Sequence, residues 1–154
     1  MDGAQKQHPS IMVSIHYTDD WDNQEAALNA LENMKQNDVD VVYPAGDGFN
    51  IEVIQQLKED GLFAIGYVAD QAELGSGTVL TSTVQHAGKV YNWVMERQMN
   101  GTLPSGLLSF DFEDDMITLG AFSPEVDQAF KEEILTAVEH YRETGQLEAS
   151  AVRP

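Results

Sequence analysis

An aromatic side chain among carboxylates is the first feature of this sequence that could bind a ligand. Trp21 follows Asp19 and Asp20 and precedes Asp22. An exposed indole in such a loop could stack on a flat or sugar-like ligand. The same side chain could instead pack as a hydrophobic staple on the helix that follows. The residue type leaves both interpretations open.

Two further segments carry groups that could contact a polar ligand. Ala45, Gly46 and Asp47 precede a predicted helix, where backbone N–H groups could meet a ligand, although a tight strand-to-helix turn is the simpler interpretation. Asp70 and Gln71 could hydrogen-bond ligand hydroxyls, or Asp70 could brace its own loop. Neither a P-loop lysine nor the third glycine of a dinucleotide fingerprint is present.

Patterns for catalysis or metal binding are weak. The clusters at positions 19–22 and 113–115 lack the spacing of a calcium loop and are typical of solvated turns. The histidines do not pair at metal-ligand spacing, cysteine is absent, and no nucleophile elbow occurs. The sequence therefore predicts a protein that is not an enzyme and needs no cofactor or metal. A metal-assisted enzyme of flavodoxin-like shape remains an alternative.

Composition restricts the classes of partner. The chain has 154 residues and a net charge of -18, from 26 acidic and 8 basic residues. Such a surface repels phosphate, which argues against direct binding of nucleic acid or of anionic membranes. No apolar run approaches the roughly 20 residues that span a bilayer. With 42% hydrophobic residues, the length fits one globular domain.

Hydrophobic periodicity predicts alternating strands and helices. Strands are predicted at Ile11–Tyr17, Val39–Tyr43, Leu62–Val68 and Thr78–Leu80, with a hairpin of Leu107–Phe112 and Met116–Leu119. Helices are predicted from a capping box at Asp22 to Lys35, over Ile51–Asp60, over Val84–Met99 after a cap at Thr81 or Ser82, and from Ser123–Pro124 to Gly145.

This alternation predicts an α/β fold: a mostly parallel sheet with helices on both faces, followed by the hairpin and a last helix. In an open parallel sheet, ligands bind outside the carboxyl ends of the strands. We therefore expect Trp21, Gly46, Val68 and Gln85 to lie along a common rim.

Four segments, in order along the chain, resemble the basic membrane protein (PnrA-like) family of solute-binding lipoproteins. These segments are Ser14–Asp22, Asp38–Gly48, Ala64–Gln71 and Leu80–Gln85. The stretch from Lys89 to Gly120, with Phe122–Pro124, is most similar to the Med-type branch, whose members are positive regulators of competence. The resemblance covers Ile11 to Leu147, and family members are about twice as long.

The resemblance implies a flavodoxin-like lobe of a type I periplasmic-binding-protein fold, with a small-molecule ligand and purine nucleosides as the best-known example. It implies that Trp21 stacks on the base, that the loop of Gly46 meets the ribose, and that Asp70 has a more structural role. Val68 stands where the family has a ribose-binding aspartate, and Gln85 stands where it has a lysine. These differences argue against a nucleoside as the ligand and favour a less polar or different small molecule, or none, because the lost charge-assisted hydrogen bonds contribute about 1.5–3 kcal/mol each.

The same resemblance implies a domain organisation and a set of partners for this chain. We expect a disordered or tag-like segment 1–10, a binding lobe 11–147 and a frayed tail 148–154. The chain is expected to be part of a longer protein or a natural half-length relative. The helix at 84–99 should be covered by the missing N-terminal lobe or by self-association. The family implies an extracytoplasmic lipoprotein, attached only through a lipid anchor outside this chain. The alternative function is a Med-type regulator that acts through a protein partner rather than by binding DNA.

Overall fold

The chain forms an α/β structure around one four-stranded sheet. A computed structural model describes residue 4 and residues 8–146. The strands follow chain order across the sheet: β1 (Val41–Val42), β2 (Phe63–Val68), β3 (Val79–Gln85) and β4 (Ile117–Leu119). The first three strands are parallel, and β4 is antiparallel to β3. The predicted α/β class and mostly parallel sheet are confirmed.

Four helices accompany the sheet in the described residues. They are α1 (Gln24–Lys35), α2 (Asn50–Asp60), α3 (Ala87–Met99) and α4 (Gln128–Thr144), with a 3-10 turn at Ala72–Leu74. Gly61 and Gly145 end α2 and α4 in the left-handed conformation, with φ of 70° and 65°, as their predicted stop positions require. Over the described part of the chain, no helix is long and apolar enough to cross a membrane.

The hydrophobic core lies between α1, α2 and one face of the sheet. Leu31 of α1, Ile54 and Leu57 of α2, and Ala64 and Val79 of the strands are all at most 1% exposed. The apolar periodicity of α1 and α2 produces this core, because residues three and four apart share a helix face. Neither α3 nor α4 contributes a buried residue. Burial is therefore concentrated in the first half of the chain.

An ion pair joins the C-terminal ends of α1 and α2. Lys35 Nζ lies 2.7 Å from Asp60 Oδ2. The hydrogen bond between them raises the pKa of Lys35 and lowers that of Asp60. Both side chains remain solvated, so the pair fixes orientation more than it stabilises the fold.

The later helices pack mainly on the loop before β4. The Trp93 ring on α3 meets Phe110 edge to face, with centroids 5.0 Å apart. On α4, Tyr141 donates a 2.8 Å hydrogen bond to Asp111, which raises the pKa of the Tyr141 hydroxyl. These contacts attach α3 and α4 to the loop while leaving one side of each helix open.

The predicted first strand is wrong. Ile11–Tyr17 is not part of the sheet, and four of its apolar side chains, including Met12 and Tyr17, are exposed. Strand-forming residues need a neighbouring strand to pair with, and β1 pairs directly with β2 through Val41 and Phe63. The segment therefore has no position between these two strands.

The boundary between β3 and α3 also differs from the prediction. Thr81 and Ser82 lie inside β3 rather than at a helix cap, and α3 begins at Ala87 instead of Val84. The Ser82 hydroxyl accepts a hydrogen bond from Gln71 N within the sheet. This tertiary partner replaces the local capping that the sequence suggests.

The predicted C-terminal hairpin does not form. Residues 107–112 contain no strand, and β4 pairs with β3 instead. The Asp111 carbonyl accepts hydrogen bonds from Met116 N and Ile117 N, so the chain makes a turn there in place of a ladder. The predicted turn at positions 113–115 is confirmed.

Two predicted helix starts are displaced. Asn23, not Asp22, caps α1 by accepting a hydrogen bond from Ala26 N. Asp127 caps α4, four residues after the predicted Ser123. The Ser123 hydroxyl instead donates to the Ser76 carbonyl at 2.6 Å, which holds it beside the loop before β3.

Candidate functional site

The candidate site is the edge of the sheet where the three parallel strands end. Val68 closes β2, and its register partner Val84 immediately precedes Gln85 at the end of β3. The loop of Ala45, Gly46 and Asp47 follows β1 at the same edge. The parallel topology thus brings three of the four predicted segments to one side of the molecule.

The loop of Trp21 reaches this edge through backbone hydrogen bonds. The Trp21 carbonyl accepts from Asp47 N at 3.0 Å and from Gly48 N at 3.1 Å. Trp21 is 61% exposed, so it does not pack as a buried staple on α1. An exposed indole beside the loop after β1 is free to stack on a ligand.

Gly46 has a packing role beneath the rim. It is buried, and a Cβ at this position would overlap the ring of Phe49, which is itself 6% exposed in the core. The loop after β1 can therefore approach the core only with glycine at position 46. This contact couples the rim geometry to the hydrophobic core.

Asp70 braces its own loop. Its Oδ1 accepts a hydrogen bond from Ala72 N at 3.2 Å, and its Oδ2 accepts one from Ala121 N at 2.9 Å. Both carboxylate oxygens thus tie the loop after β2 to the segment after β4. Of the two alternatives that the sequence left open, this geometry favours the bracing role.

Gln71 and Ser82 form a buried network under the same loop. Gln71 N donates to Ser82 Oγ at 3.0 Å, and Gln71 Oε1 accepts from Tyr67 N at 2.9 Å. Gln71 is 8% exposed and Ser82 is fully buried. The amide therefore positions the loop rather than facing a ligand.

Val68 occupies an unfavourable backbone conformation. Its φ is 68°, in the left-handed region that a β-branched residue rarely adopts. Such a conformation costs of order 1–3 kcal/mol and persists where the surrounding structure enforces it. Here the hydrogen bonds of Gln71 and Asp70 hold the chain on either side of the bend.

Two tyrosines at the rim were missed by sequence reasoning. The rings of Tyr43 and Tyr67 meet edge to face with centroids 5.8 Å apart, and the Tyr43 hydroxyl lies 2.7 Å from Thr83 Oγ1. Tyr43 directly follows β1, and Tyr67 and Thr83 lie near the ends of β2 and β3. Their positions near the ends of β1, β2 and β3 were a usable signal, because alternation places such residues on one face.

The rim is acidic and neutral-polar rather than basic. Its three loops contain five aspartates and no lysine or arginine, namely Asp19, Asp20, Asp22, Asp47 and Asp70. Among residues 8–146, no group of three or more carboxylates, histidines or cysteines is arranged to hold a metal ion. The electrostatic potential therefore disfavours anionic ligands.

A shallow cleft of about 360 Å³ adjoins the rim beside Gln85. Its walls include Tyr91 from α3 and Phe110 and Met116 from the loop before β4. Gln85 thus stands between this apolar cleft and the strand ends, where its amide can donate and accept hydrogen bonds.

Replacing Asp70 by alanine tests the bracing role. We expect Asp70→Ala to lower the free energy of unfolding by about 1–2 kcal/mol without any ligand present, because two backbone N–H groups lose a charged acceptor. Urea denaturation followed by circular dichroism measures this change. Asp47→Ala is the matched control, since no hydrogen bond of its carboxylate is seen among the described residues. Equal stability of the two variants would contradict the bracing role.

Comparison with known proteins places this geometry in context. The chain is 48% identical over 145 residues to the transcriptional activator protein Med of Bacillus subtilis, covering 94% of this chain and 46% of the relative. It is 29% identical over 92 residues to basic membrane protein A of Borreliella burgdorferi, covering 58% of this chain and 27% of the relative. The chain therefore spans about half or less of the length of these relatives.

Solved structures give the same result for the fold. The crystal structure of a transcriptional activator of the comK gene from Bacillus halodurans matches with a TM-score of 0.86 and 42% identity, over 96% of this chain and 52% of that one. A solute-binding protein of an ABC transporter system from Aeropyrum pernix matches with a TM-score of 0.63 and 22% identity, over 97% and 40%. The family model of ABC transporter substrate-binding proteins of the PnrA-like type matches residues 1–151. The chain therefore belongs to this family, called Bmp.

Proposed function

We propose that this chain is a small-molecule-binding lobe that holds its ligand at the carboxyl ends of β1, β2 and β3 without catalysing a reaction. The observation that carries the proposal is the exposed indole of Trp21, which the Asp47 and Gly48 amides hold beside the strand ends. Stacking on the indole would orient a flat ligand, and closure of a second lobe would cover it.

The rim favours a neutral or cationic ligand. It offers the amide of Gln85 and the hydroxyls of Tyr43 and Thr83 in the place of fixed positive groups. Five aspartates in the adjoining loops repel phosphates and carboxylates. A nucleoside-like molecule with an uncharged base and no phosphate fits this chemistry.

A thermal-shift panel tests this proposal. We expect one or more uncharged nucleosides or related heterocycles to raise the melting temperature, because a ligand that binds only the native state stabilises it by about 2.7 kcal/mol at 100 times Kd. Nucleoside monophosphates should give no shift. Trp21→Ala should abolish the shift without changing the melting temperature of the free protein, since the indole is mostly exposed. Glu59→Ala, on the exposed last turn of α2 at the end away from the rim, serves as the control that keeps the shift.

A double variant distinguishes two questions: whether the rim binds a ligand at all, and whether that ligand is a nucleoside. Val68→Asp with Gln85→Lys gives the two residue types that the resemblance places at the ribose. Aspartate also tolerates the left-handed conformation at position 68 better than valine does. If the site is right and its ligand is not a nucleoside, only this double variant should respond to nucleosides. No response from either protein to any ligand in the panel would refute the binding role.

A regulatory role is the second candidate function. It is supported by the 48% identity to a protein named as a transcriptional activator and by the match to an activator of the comK gene. With a net charge of -18, the chain is poorly suited to contact DNA phosphates. We propose that any such role is exerted through a protein partner, with ligand occupancy of the rim as its input.

An electrophoretic mobility assay tests the indirect mode. We expect no retardation of duplex DNA at any salt concentration, since a protein that binds the DNA backbone needs several lysine or arginine contacts. A lysine-rich DNA-binding domain of similar mass, run in parallel, shows that the conditions detect binding. Tight binding that weakens steeply as salt is raised would overturn the indirect mode and leave the ligand proposal intact.

A further inference from the structure

Three polar groups near the strand ends form a chain of hydrogen bonds with a fixed direction. Thr83 Oγ1 donates to the Gly66 carbonyl at 3.3 Å and lies 2.7 Å from the Tyr43 hydroxyl oxygen. A threonine hydroxyl has one proton and two lone pairs. Since that proton is directed to Gly66, the contact with Tyr43 is a hydrogen bond only if Tyr43 donates.

The direction of this chain makes Tyr43 an acceptor for any other group that reaches it. A phenolic hydroxyl also has a single proton, and here Thr83 holds that proton, so only lone pairs of the oxygen are left. Tyr43 is 47% exposed and Thr83 is half-buried, so Tyr43 is the end of the chain that a ligand can contact. The edge-to-face contact with Tyr67 fixes the ring as well. The acceptor is therefore preorganised.

Other side chains near the strand ends also accept rather than donate. Thr81, two residues before Thr83 on β3, gives its own proton to the Gly120 carbonyl at 3.2 Å. Asp47, in the loop that follows β1, is an acceptor alone when ionised. Gln85 is the exception, because its amide also carries donors. A ligand at this edge therefore meets more lone pairs than protons.

We propose that Tyr43 is a specificity-determining residue that accepts a hydrogen bond from an N–H or O–H donor of the ligand. The inference rests on the proposed binding function and narrows the class of ligand to a flat molecule that directs an amino or hydroxyl group at Tyr43. A molecule with only a carbonyl or a bare ring nitrogen at that position would place its lone pairs against those of Tyr43. Its binding is disfavoured, because polar groups on both sides lose their water without gaining a partner.

Thermal unfolding of the free protein tests the hydrogen bond itself. Tyr43→Phe keeps the ring, and Thr83→Val keeps the shape of the side chain, but each removes the same hydrogen bond. The fall in melting temperature of the double variant should therefore be smaller than the sum of the two single falls. Tyr141→Phe combined with Thr83→Val is the matched control and should be additive, because the Tyr141 hydroxyl is bonded to Asp111 instead. Additivity for Tyr43 and Thr83 would overturn the proposal.

Matched nucleosides test the acceptor with a ligand present. Purine riboside and inosine lack one amino group of adenosine and guanosine respectively, and 3′-deoxyadenosine lacks one hydroxyl of adenosine, so none of them adds bulk. Titration calorimetry uses the wild type or, if it alone responds, the variant Val68→Asp with Gln85→Lys. We expect the analogue that has lost the donor facing Tyr43 to bind about tenfold more weakly than its parent, the effect of one hydrogen bond of ordinary strength. Which analogue is weaker identifies the donor as an amino group or a hydroxyl. In Tyr43→Phe the ratio should fall to about twofold or less, because the acceptor is gone.

Two substitutions of Thr83 test the direction of the hydrogen bond. Thr83→Val frees the Tyr43 proton, so the analogue without the donor should regain affinity and the ratio should fall. Thr83→Ser keeps the hydroxyl and should keep the ratio. Equal ratios in the parent protein, Tyr43→Phe and Thr83→Val would overturn the acceptor role and leave the binding function intact. No response to any nucleoside or related heterocycle, from the wild type or from Val68→Asp with Gln85→Lys, would refute the binding function and the acceptor role with it.

Discussion

Replacing Leu57 by alanine is expected to remove about 3–5 kcal/mol from the free energy of unfolding. Leu57 is 0% exposed on α2, in the cluster that joins α1 to the sheet. Loss of a fully buried leucine leaves a cavity, and such substitutions cost about 2–5 kcal/mol. The upper part of that range is expected here because α3 and α4 contribute no buried residue, so that the cluster containing Leu57 provides most of the buried apolar contacts.

Urea denaturation, followed by circular dichroism at two wavelengths, measures this change in the free energy of unfolding. Ile51→Ala on the same helix is the matched control, since Ile51 is 43% exposed and its loss should cost under about 1 kcal/mol. If the two variants were equally stable, the core could not lie between α1, α2 and the sheet. If Leu57→Ala lowered the free energy of unfolding less than Trp93→Ala does, the main core would have to lie at α3 instead.

The parts of the fold that could be predicted are those set by local pattern. The spacing of Ile54 and Leu57, followed by Gly61, predicts α2 to within one residue, because helix periodicity and a left-handed stop are properties of the chain itself. The α/β order and the mostly parallel sheet followed from the same alternation.

The parts that failed depend on partners far along the chain. Ser82 is a residue type that commonly caps helices, yet it lies in β3, where its hydroxyl accepts a hydrogen bond from Gln71 N. Ile11–Tyr17 has the composition of a buried strand, yet β1 pairs directly with β2. In both cases a tertiary hydrogen-bond partner decides the structure, and no window of the sequence contains it.

The candidate site divides in the same way. The topology rule predicted the edge at which Gly46, Val68 and Gln85 are found, because carboxyl ends of parallel strands share one edge. Trp21 reaches that edge for another reason, since its predicted strand does not form and its carbonyl is held by Asp47 N and Gly48 N. Tyr43 and Tyr67 were missed, since their contact depends on the register of β1 against β2. That any of these residues binds a ligand remains a prediction.

The bend at Val68 links fold and function. A β-branched residue at φ 68° is held there by the buried pair of Gln71 and Ser82, which in turn lies against Gly66. Anything that displaces Ser82 should therefore alter both the stability of the sheet and the rim. This connection makes Gly66 the position at which the site is most sensitive to a single methyl group.

Gly66→Ala is expected to destabilise the protein by about 3 kcal/mol and to abolish any ligand response at the rim. A Cβ on Gly66 would lie 2.8 Å from Ser82 Cβ and overlap Ser82 Oγ, in the centre of the sheet where neither strand can yield. Overpacking of this kind costs about 1–3 kcal/mol. Breaking the hydrogen bond from Gln71 N to the buried Ser82 hydroxyl adds a further 1 kcal/mol or more.

Thermal unfolding measures the loss, which corresponds to a fall of about 6–12 °C for a chain of this size. Gly77→Ala is the matched control, because a Cβ there meets nothing within 4 Å and its melting temperature should hold within a degree or two. The double variant Gly66→Ala with Ser82→Gly should be more stable than the sum of the two single changes, since removing the Ser82 side chain makes room for the methyl group. Strict additivity of the two changes would mean that Gly66 and Ser82 do not contact each other, and the account of the bend at Val68 would fail with it.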